Sequence, residues 1–165
     1  MENQMKTALL KDLDQKKITV RREFAASPAL VWRAWTESEL LDQWWAPRPW
    51  MTKTKHLNFS EGGSWLYAMS GPDGIPIWSL VEFSSIVKNK RFKAVSCFCD
   101  EKGNKNADFP IMTWKNAFLP SGKGTTVEVE ISFNREADFK KIIEMGFQAG
   151  FTAALGNLDE LLEKI

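Results

Sequence analysis

The sequence is poor in the residues that usually carry chemistry. Its 165 residues include one histidine, His56, and two cysteines, Cys97 and Cys99. Two cysteines and a distant lone histidine do not match zinc-ligand spacing, so no metal is expected. Cys97 and Cys99 sit two apart on an apparent strand, which separates them by roughly 6.5–7 Å, too far for comfortable disulfide geometry. Two free thiols suit a reducing cytoplasm. Charge of one sign is not in excess either: 22 Lys+Arg face 21 Asp+Glu, a net charge of +1. No global field therefore points to nucleic acid or to an acidic membrane. No apolar run is long enough to span a bilayer. The N-terminal stretch MENQMKTALLKDLDQKK lacks the apolar core of a signal peptide, so a cytoplasmic protein is expected. No G-x-S-x-G, H-E-x-x-H, P-loop or dinucleotide fingerprint occurs. No catalytic residue and no cofactor are assigned, and His56 reads as a solvated or structurally bonded side chain.

What is abundant is apolar and aromatic. Hydrophobic residues make up 44% and charged residues 26%, values of a globular chain rather than a disordered one. The length fits one domain, and at this size roughly 68–70% of the unfolded surface can be buried, so a core needs no covalent staples. There are eight tryptophans. Five of them (Trp32, Trp35, Trp44, Trp45 and Trp50) crowd into residues 32–50, as a dense core or as the lining of an apolar cavity.

Residues 1–16 read as an N-terminal arm, with Leu9, Leu10 and Leu13 spaced for one or two helical turns, and a single domain fills residues 17–165. Lys17–Phe24 alternates as a half-buried strand. Ser27-Pro28 starts a helix, because serine caps and proline is preset for the first helical position. Thr36 or Ser38 caps a second short helix, which ends at Trp44-Trp45 before the prolines of Ala46-Pro47-Arg48-Pro49. Strands follow over Thr52–Phe59, Ser64–Ser70, Ile77–Val87, Arg91–Cys99, Ile111–Phe118 and Thr125–Phe133. In the last of these Val127, Val129, Ile131 and Phe133 face in, and Thr126, Glu128, Glu130 and Ser132 face out. Apolar residues at three-to-four spacing then predict one long helix over roughly Glu136–Leu162. Gly146, Gly150 and Gly156 inside it leave room for a ligand, allow a bend, or pack closely on the sheet. Strands joined by short turns make a meander, and its curved face can receive the helix. The fold class is therefore α+β, a curved antiparallel sheet of about six to seven strands gripping a C-terminal helix.

The segment Ser27-Pro28-Ala29-Leu30-Val31-Trp32-Arg33-Ala34-Trp35-Thr36 resembles a motif of proteins similar to the C-terminal domain of the activator of the 90-kDa heat-shock protein ATPase. Trp44-Trp45-Ala46-Pro47, Gly62-Gly63, Met69-Ser70-Gly71-Pro72-Asp73-Gly74, Thr125-Thr126-Val127 and Glu144-Met145-Gly146-Phe147 continue the likeness over roughly residues 17–165. The resemblance implies the START-like (SRPBCC) helix-grip fold, whose members commonly enclose an apolar cavity between sheet and helix. The chain departs from the pattern at Asn58-Phe59-Ser60 and at Ser85–Phe92, where the family often carries acidic and proline-rich motifs. The separate chaperone-binding domain of the eukaryotic relatives finds no room in this length, so chaperone activation is not expected to carry over.

Trp65, Tyr67 and Met69 share one strand face that the resemblance turns inward. Trp114, Asn116 and Phe118 share another, Val129 and Ile131 face in from the last strand, and Phe147 and Phe151 stand one turn apart on the helix. Together they would line an apolar pocket with Tyr67 and Asn116 as polar handles, or fill it as solid core. Trp44 and Trp45 form its rim or anchor the short helices. The leading expectation is a small apolar or aromatic molecule bound in that cavity. A protein–protein or stress-linked role and a cyclase- or dehydratase-type activity are the alternatives, and the resemblance is compatible with a homodimer.

Overall fold

The computed structural model describes residues 7–122 and 124–165. Eight strands form one antiparallel sheet in the order β1-β2-β8-β7-β6-β5-β4-β3. They are β1 Thr7–Asp12, β2 Lys17–Phe24, β3 Met51–Leu57, β4 Ser64–Ser70, β5 Pro76–Val87, β6 Arg91–Cys99, β7 Ile111–Ser121 and β8 Gly124–Ser132. Four helices accompany the sheet among the described residues: α1 Pro28–Thr36, α2 Ser38–Trp44, α3 Glu136–Glu144 and α4 Phe147–Lys164. The meander β3 to β8 is consecutive, and β2 closes against β8 rather than β3, so α1 and α2 cross from one side of the sheet to the other.

Local chemistry explains most element ends. Ser27 caps α1, its Oγ accepting the Leu30 N–H at 3.3 Å, with Pro28 at the first helical position. The start of α2 differs from expectation. Neither Thr36 nor Ser38 caps it; Glu37 does so with backbone alone, its N–H having closed α1 on the Arg33 carbonyl. The Glu37 carboxylate is held at 2.9 Å by Arg33, and the Thr36 hydroxyl bonds back to Trp32 O at 2.8 Å, so neither side chain is free to cap. On β8, Val127, Val129 and Ile131 are buried as expected, and so is Phe133 just beyond its end. Thr126, expected outside, is also buried, because its hydroxyl pairs with that of Ser121 across the β7–β8 hairpin.

Three other expectations change. Residues 7–12 are not helical: they pair with β2 from Thr7↔Arg22 to Asp12↔Lys17, so the sheet begins before residue 17. Residues 1–6 of the arm and Lys123 lie outside the described residues. The sheet has eight strands rather than six or seven. The C-terminal helix is two helices: α3 stops at Met145, and Gly146 takes φ 86° in the left-handed region before α4 begins. A side chain there would meet no atom within 4 Å, so only the backbone conformation demands glycine. Gly146→Ala should therefore cost about 1 kcal/mol. That is a melting-temperature drop of about 2–4 °C for a chain of this size, readable by circular dichroism.

Sheet curvature comes from irregular pairing. Register shifts between Thr54 and His56 on β3 and between Phe83 and Ser85 on β5 insert an extra residue and bend the strands. The helices lie on the concave face. Trp32 of α1 meets Phe92 and Phe118 of the sheet edge-to-face at 5.8 and 5.1 Å. On the convex face a second, small cluster of Leu66, Leu80 and Cys97 packs with Trp78 and Cys99. The 100–106 loop folds back over it through hydrogen bonds from Asn106 N to Phe98 O and from Asp100 N to Asn104 O.

Candidate functional site

Between the concave face and α4 lies a cavity of about 430 Å³. Strand alternation puts its walls in place. Trp65, Tyr67 and Met69 line it from β4; Ile77, Ser79, Val81 and Phe83 from β5; Phe92, Ala94, Ser96 and Phe98 from β6; Met112, Trp114 and Asn116 from β7. Trp35, Leu41 and Trp45 contribute from the first helical pair, and Phe147, Gly150 and Phe151 from α4. No carboxylate, ammonium, guanidinium or imidazole lines it among the described residues.

The cavity is shaped by aromatic rings held in fixed orientations. Trp65 stacks on Tyr67 with centroids 4.0 Å apart, and Phe147 stacks on Phe151 at 5.2 Å. Trp45 meets Trp65, Trp114 and Phe151 at 5.5, 5.8 and 6.1 Å. Their polar atoms are tied to neighbours. Trp65 Nε1 donates to Thr54 Oγ1 at 3.0 Å, and Thr54 Oγ1 donates to Asp42 Oδ1 at 2.6 Å, which links the ring to α2. Trp114 Nε1 donates to Ser96 Oγ, and Trp45 Nε1 donates to Tyr67 Oη, each at 3.0 Å. Burial pushes the Tyr67 phenol above its usual pKa, more than the Trp45 N–H lowers it, so it is protonated at neutral pH. Since the indole can only donate, the Tyr67 hydroxyl hydrogen is directed elsewhere.

Two lining residues carry buried polar atoms without a partner, Trp35 Nε1 and Asn116 Oδ1. Leaving such an atom unsatisfied costs about 1–3 kcal/mol, so each marks a place where a guest group or water would be stabilised.

Pro47 and Trp50 close one side of the mouth. Trp50 lies flat on Gly71, where a Cβ would stand 2.8 Å from the indole, and Pro47 rests on Gly150. Asn157 of α4 fixes this loop by donating from Nδ2 to the Ala46 carbonyl at 3.0 Å. Around the same end of the sheet Met51, Ile75, Ile77 and Met145 are exposed at 72, 65, 44 and 49%.

Of the residues the sequence singled out, Trp65, Tyr67, Met69, Trp114, Asn116, Phe147 and Phe151 meet in this cavity, and Trp45 lines it. Phe118, Val129 and Ile131 do not. They are buried core, Phe118 locked between Trp32 and Trp35, and the two β8 residues lie at the β2 side of the sheet beyond the cavity wall. Trp44 is not at the rim: it is fully buried, with Nε1 donating to Ala34 O at 2.8 Å. The β5 and β6 walls go unidentified in the sequence: Ile77, Ser79, Val81 and Phe83 and Phe92, Ala94, Ser96 and Phe98 hold alternate positions as the β4 residues do, but Ser79, Ala94 and Ser96 are too small to mark the face. His56 is exposed on β3, outside the cavity. Cys97 and Cys99 are unpaired, and burial raises both thiols, Cys99 to about 11, which leaves little reactive thiolate at neutral pH. No His/Cys/Asp/Glu group suited to a metal occurs among the described residues. No helix among them is long and apolar enough to cross a membrane.

An eight-stranded antiparallel sheet curved around a C-terminal helix, with an apolar space between them, defines a START-like α+β domain of the helix-grip type. Residues 25–163 match the family described as activator of Hsp90 ATPase homolog 1-like protein, and the chain belongs to that family. A crystal structure of a Mycobacterium smegmatis protein is similar at 26% identity and a TM-score of 0.88, covering 94% of this chain and 96% of that one. A solution structure from Arthrobacter aurescens gives 25% identity and 0.89, covering 96% and 92%. One from Staphylococcus epidermidis gives 27% and 0.83, covering 95% and 94%. A comparison with curated proteins finds no match.

Proposed function

We propose that this protein binds a small apolar or aromatic molecule in the cavity between the sheet and α4. The observation that carries the reading is the space of about 430 Å³ walled by oriented aromatic rings. That volume and its few polar groups fit a small-molecule site, which typically encloses about 300–1,000 Å³ and is mostly apolar. The rings present flat faces on several sides and favour a flat guest over a long flexible chain. The exposed apolar residues at the mouth favour the approach of such a guest from water or from another apolar surface.

The test is a titration with N-phenyl-1-naphthylamine, an uncharged dye that brightens in apolar surroundings. Saturable brightening is expected with the wild-type protein. Ala94 is 1% exposed and lines the cavity floor, so Ala94→Phe should fill part of the space and weaken binding at least tenfold. Its far-ultraviolet circular dichroism should be unchanged. Equal dye affinity in a folded Ala94→Phe protein would place the dye elsewhere and remove the reading.

A further inference from the structure

The cavity has a direction. Its β6 wall runs from Phe98 to Phe92, six residue steps or roughly 20 Å of strand. Register orders the polar groups along that length. Tyr67 pairs with Ser79, which pairs with Phe98, so this group stands at the mouth end beside Met69 and Ile77. Asn116 pairs with Phe92, at the far end. There Asn116 is 3% exposed and its Oδ1 has no partner.

From this we propose that the ligand is an uncharged, flat molecule that enters end-on and places a hydrogen-bond donor, a hydroxyl or N–H, on Asn116 at the inner end of the cavity. The inference rests on the reading of the cavity as a binding site and specifies its ligand class. A charged inner end is disfavoured because the described lining offers no opposite charge, and an unpaired ion in such a space is expensive to desolvate. A purely apolar inner end would leave Asn116 Oδ1 unsatisfied. Amide oxygen and nitrogen exchange places by rotation about the terminal torsion, and a hydroxyl satisfies either orientation. The orphaned Trp35 Nε1 is the competing anchor, since it would select an acceptor instead.

Four probes of one shape separate these cases: 2-naphthol, 2-methoxynaphthalene, naphthalene and 2-naphthoate, titrated at pH 7 by calorimetry and by ¹H–¹⁵N NMR of the full chain. The expected order is 2-naphthol at least tenfold tighter than naphthalene and 2-methoxynaphthalene, with 2-naphthoate weakest. A factor of ten is the worth of one such hydrogen bond. The Asn116 side-chain amide resonances should shift much further with 2-naphthol than with naphthalene, whose ring current alone acts on them. Asn116→Leu should equalise the affinities of 2-naphthol and naphthalene. If that variant does not fold, the wild-type amide shifts decide the matter.

Equal affinities for 2-naphthol and naphthalene in the wild-type protein would overturn the inference and leave the binding reading standing. So would a 2-naphthol preference that survives in a folded Asn116→Leu protein. Equal binding of 2-naphthol and 2-methoxynaphthalene above naphthalene would show that the ligand accepts a hydrogen bond, from Trp35 Nε1 or from a turned Asn116 amide, and would overturn the inference that it places a donor on Asn116. Failure of all three neutral probes, together with failure of the dye, would overturn the binding reading itself.

Discussion

Asp159→Ala should destabilise the protein by about 3–5 kcal/mol, a loss usual when one partner of a buried ion pair is removed. Arg22 faces inward from β2 and is 1% exposed, and its Nη2 lies 2.5 Å from Asp159 Oδ2 on α4. Its Nη1 donates to Glu23 O at 2.9 Å, and its guanidinium stands 5.0 Å over the Phe24 ring. Nε has no partner, so Asp159 is the only carboxylate that answers this charge in the described structure. Truncating Asp159 leaves a guanidinium buried and uncompensated, which costs far more than the pair itself contributes. The melting temperature should fall by about 6–20 °C at 2–4 °C per kcal/mol. The paired change Arg22→Met with Asp159→Leu removes both charges and should return most of the loss, because an apolar replacement of similar volume is often neutral or better. Urea unfolding of the two single variants and the double variant measures this coupling directly. An Asp159→Ala protein within 1 kcal/mol of wild type would show that the contact does not clamp α4 to the sheet.

The same residue marks where the sequence stops being legible. Alternation along Lys17–Phe24 identifies Ile18, Val20 and Phe24 as inward and thereby puts Arg22 on the inward face. What makes an inward arginine tolerable is a carboxylate 137 residues away, which no local pattern reveals. The C-terminal helix fails for a related reason. Its apolar period runs through Gly146 without interruption, because α3 and α4 both bury apolar side chains in the one core. Only the left-handed backbone at Gly146 records the break. Strand β1 is created by pairing with β2, and three leucines in a polar arm do not specify that partner. On β4 the large Trp65, Tyr67 and Met69 make one face stand out, and the family resemblance turns it inward. On β6, Ala94 and Ser96 interrupt the apolar run at the places where the cavity lies. The small residues that make the space also weaken its pattern.

Trp44 and Trp45 give the second large effect, as a contrast. Neighbouring residues on a helix point about 100° apart, since one turn takes 3.6 residues. One ring can therefore anchor α2 while the next enters the cavity. Trp44 is fully buried against Trp35 at 5.0 Å, with its N–H on the Ala34 carbonyl. Trp44→Ala should cost about 3–5 kcal/mol, the range for emptying a buried aromatic site. Trp44→Phe keeps most of the packing but strands the Ala34 carbonyl, at about 1–3 kcal/mol. Trp45 is only half-buried and already borders the cavity, so Trp45→Ala enlarges that cavity rather than opening a new one. Its stability loss should be no more than about half that of Trp44→Ala. It also removes the donor to Tyr67 Oη and one wall of the cavity, so its effect on affinity for N-phenyl-1-naphthylamine should be the larger of the two. Urea midpoints and dye titrations on the same protein samples resolve the pair. Equal stability losses, or unchanged dye affinity in Trp45→Ala, would mean that the two rings share one structural role and that the cavity wall does not depend on Trp45.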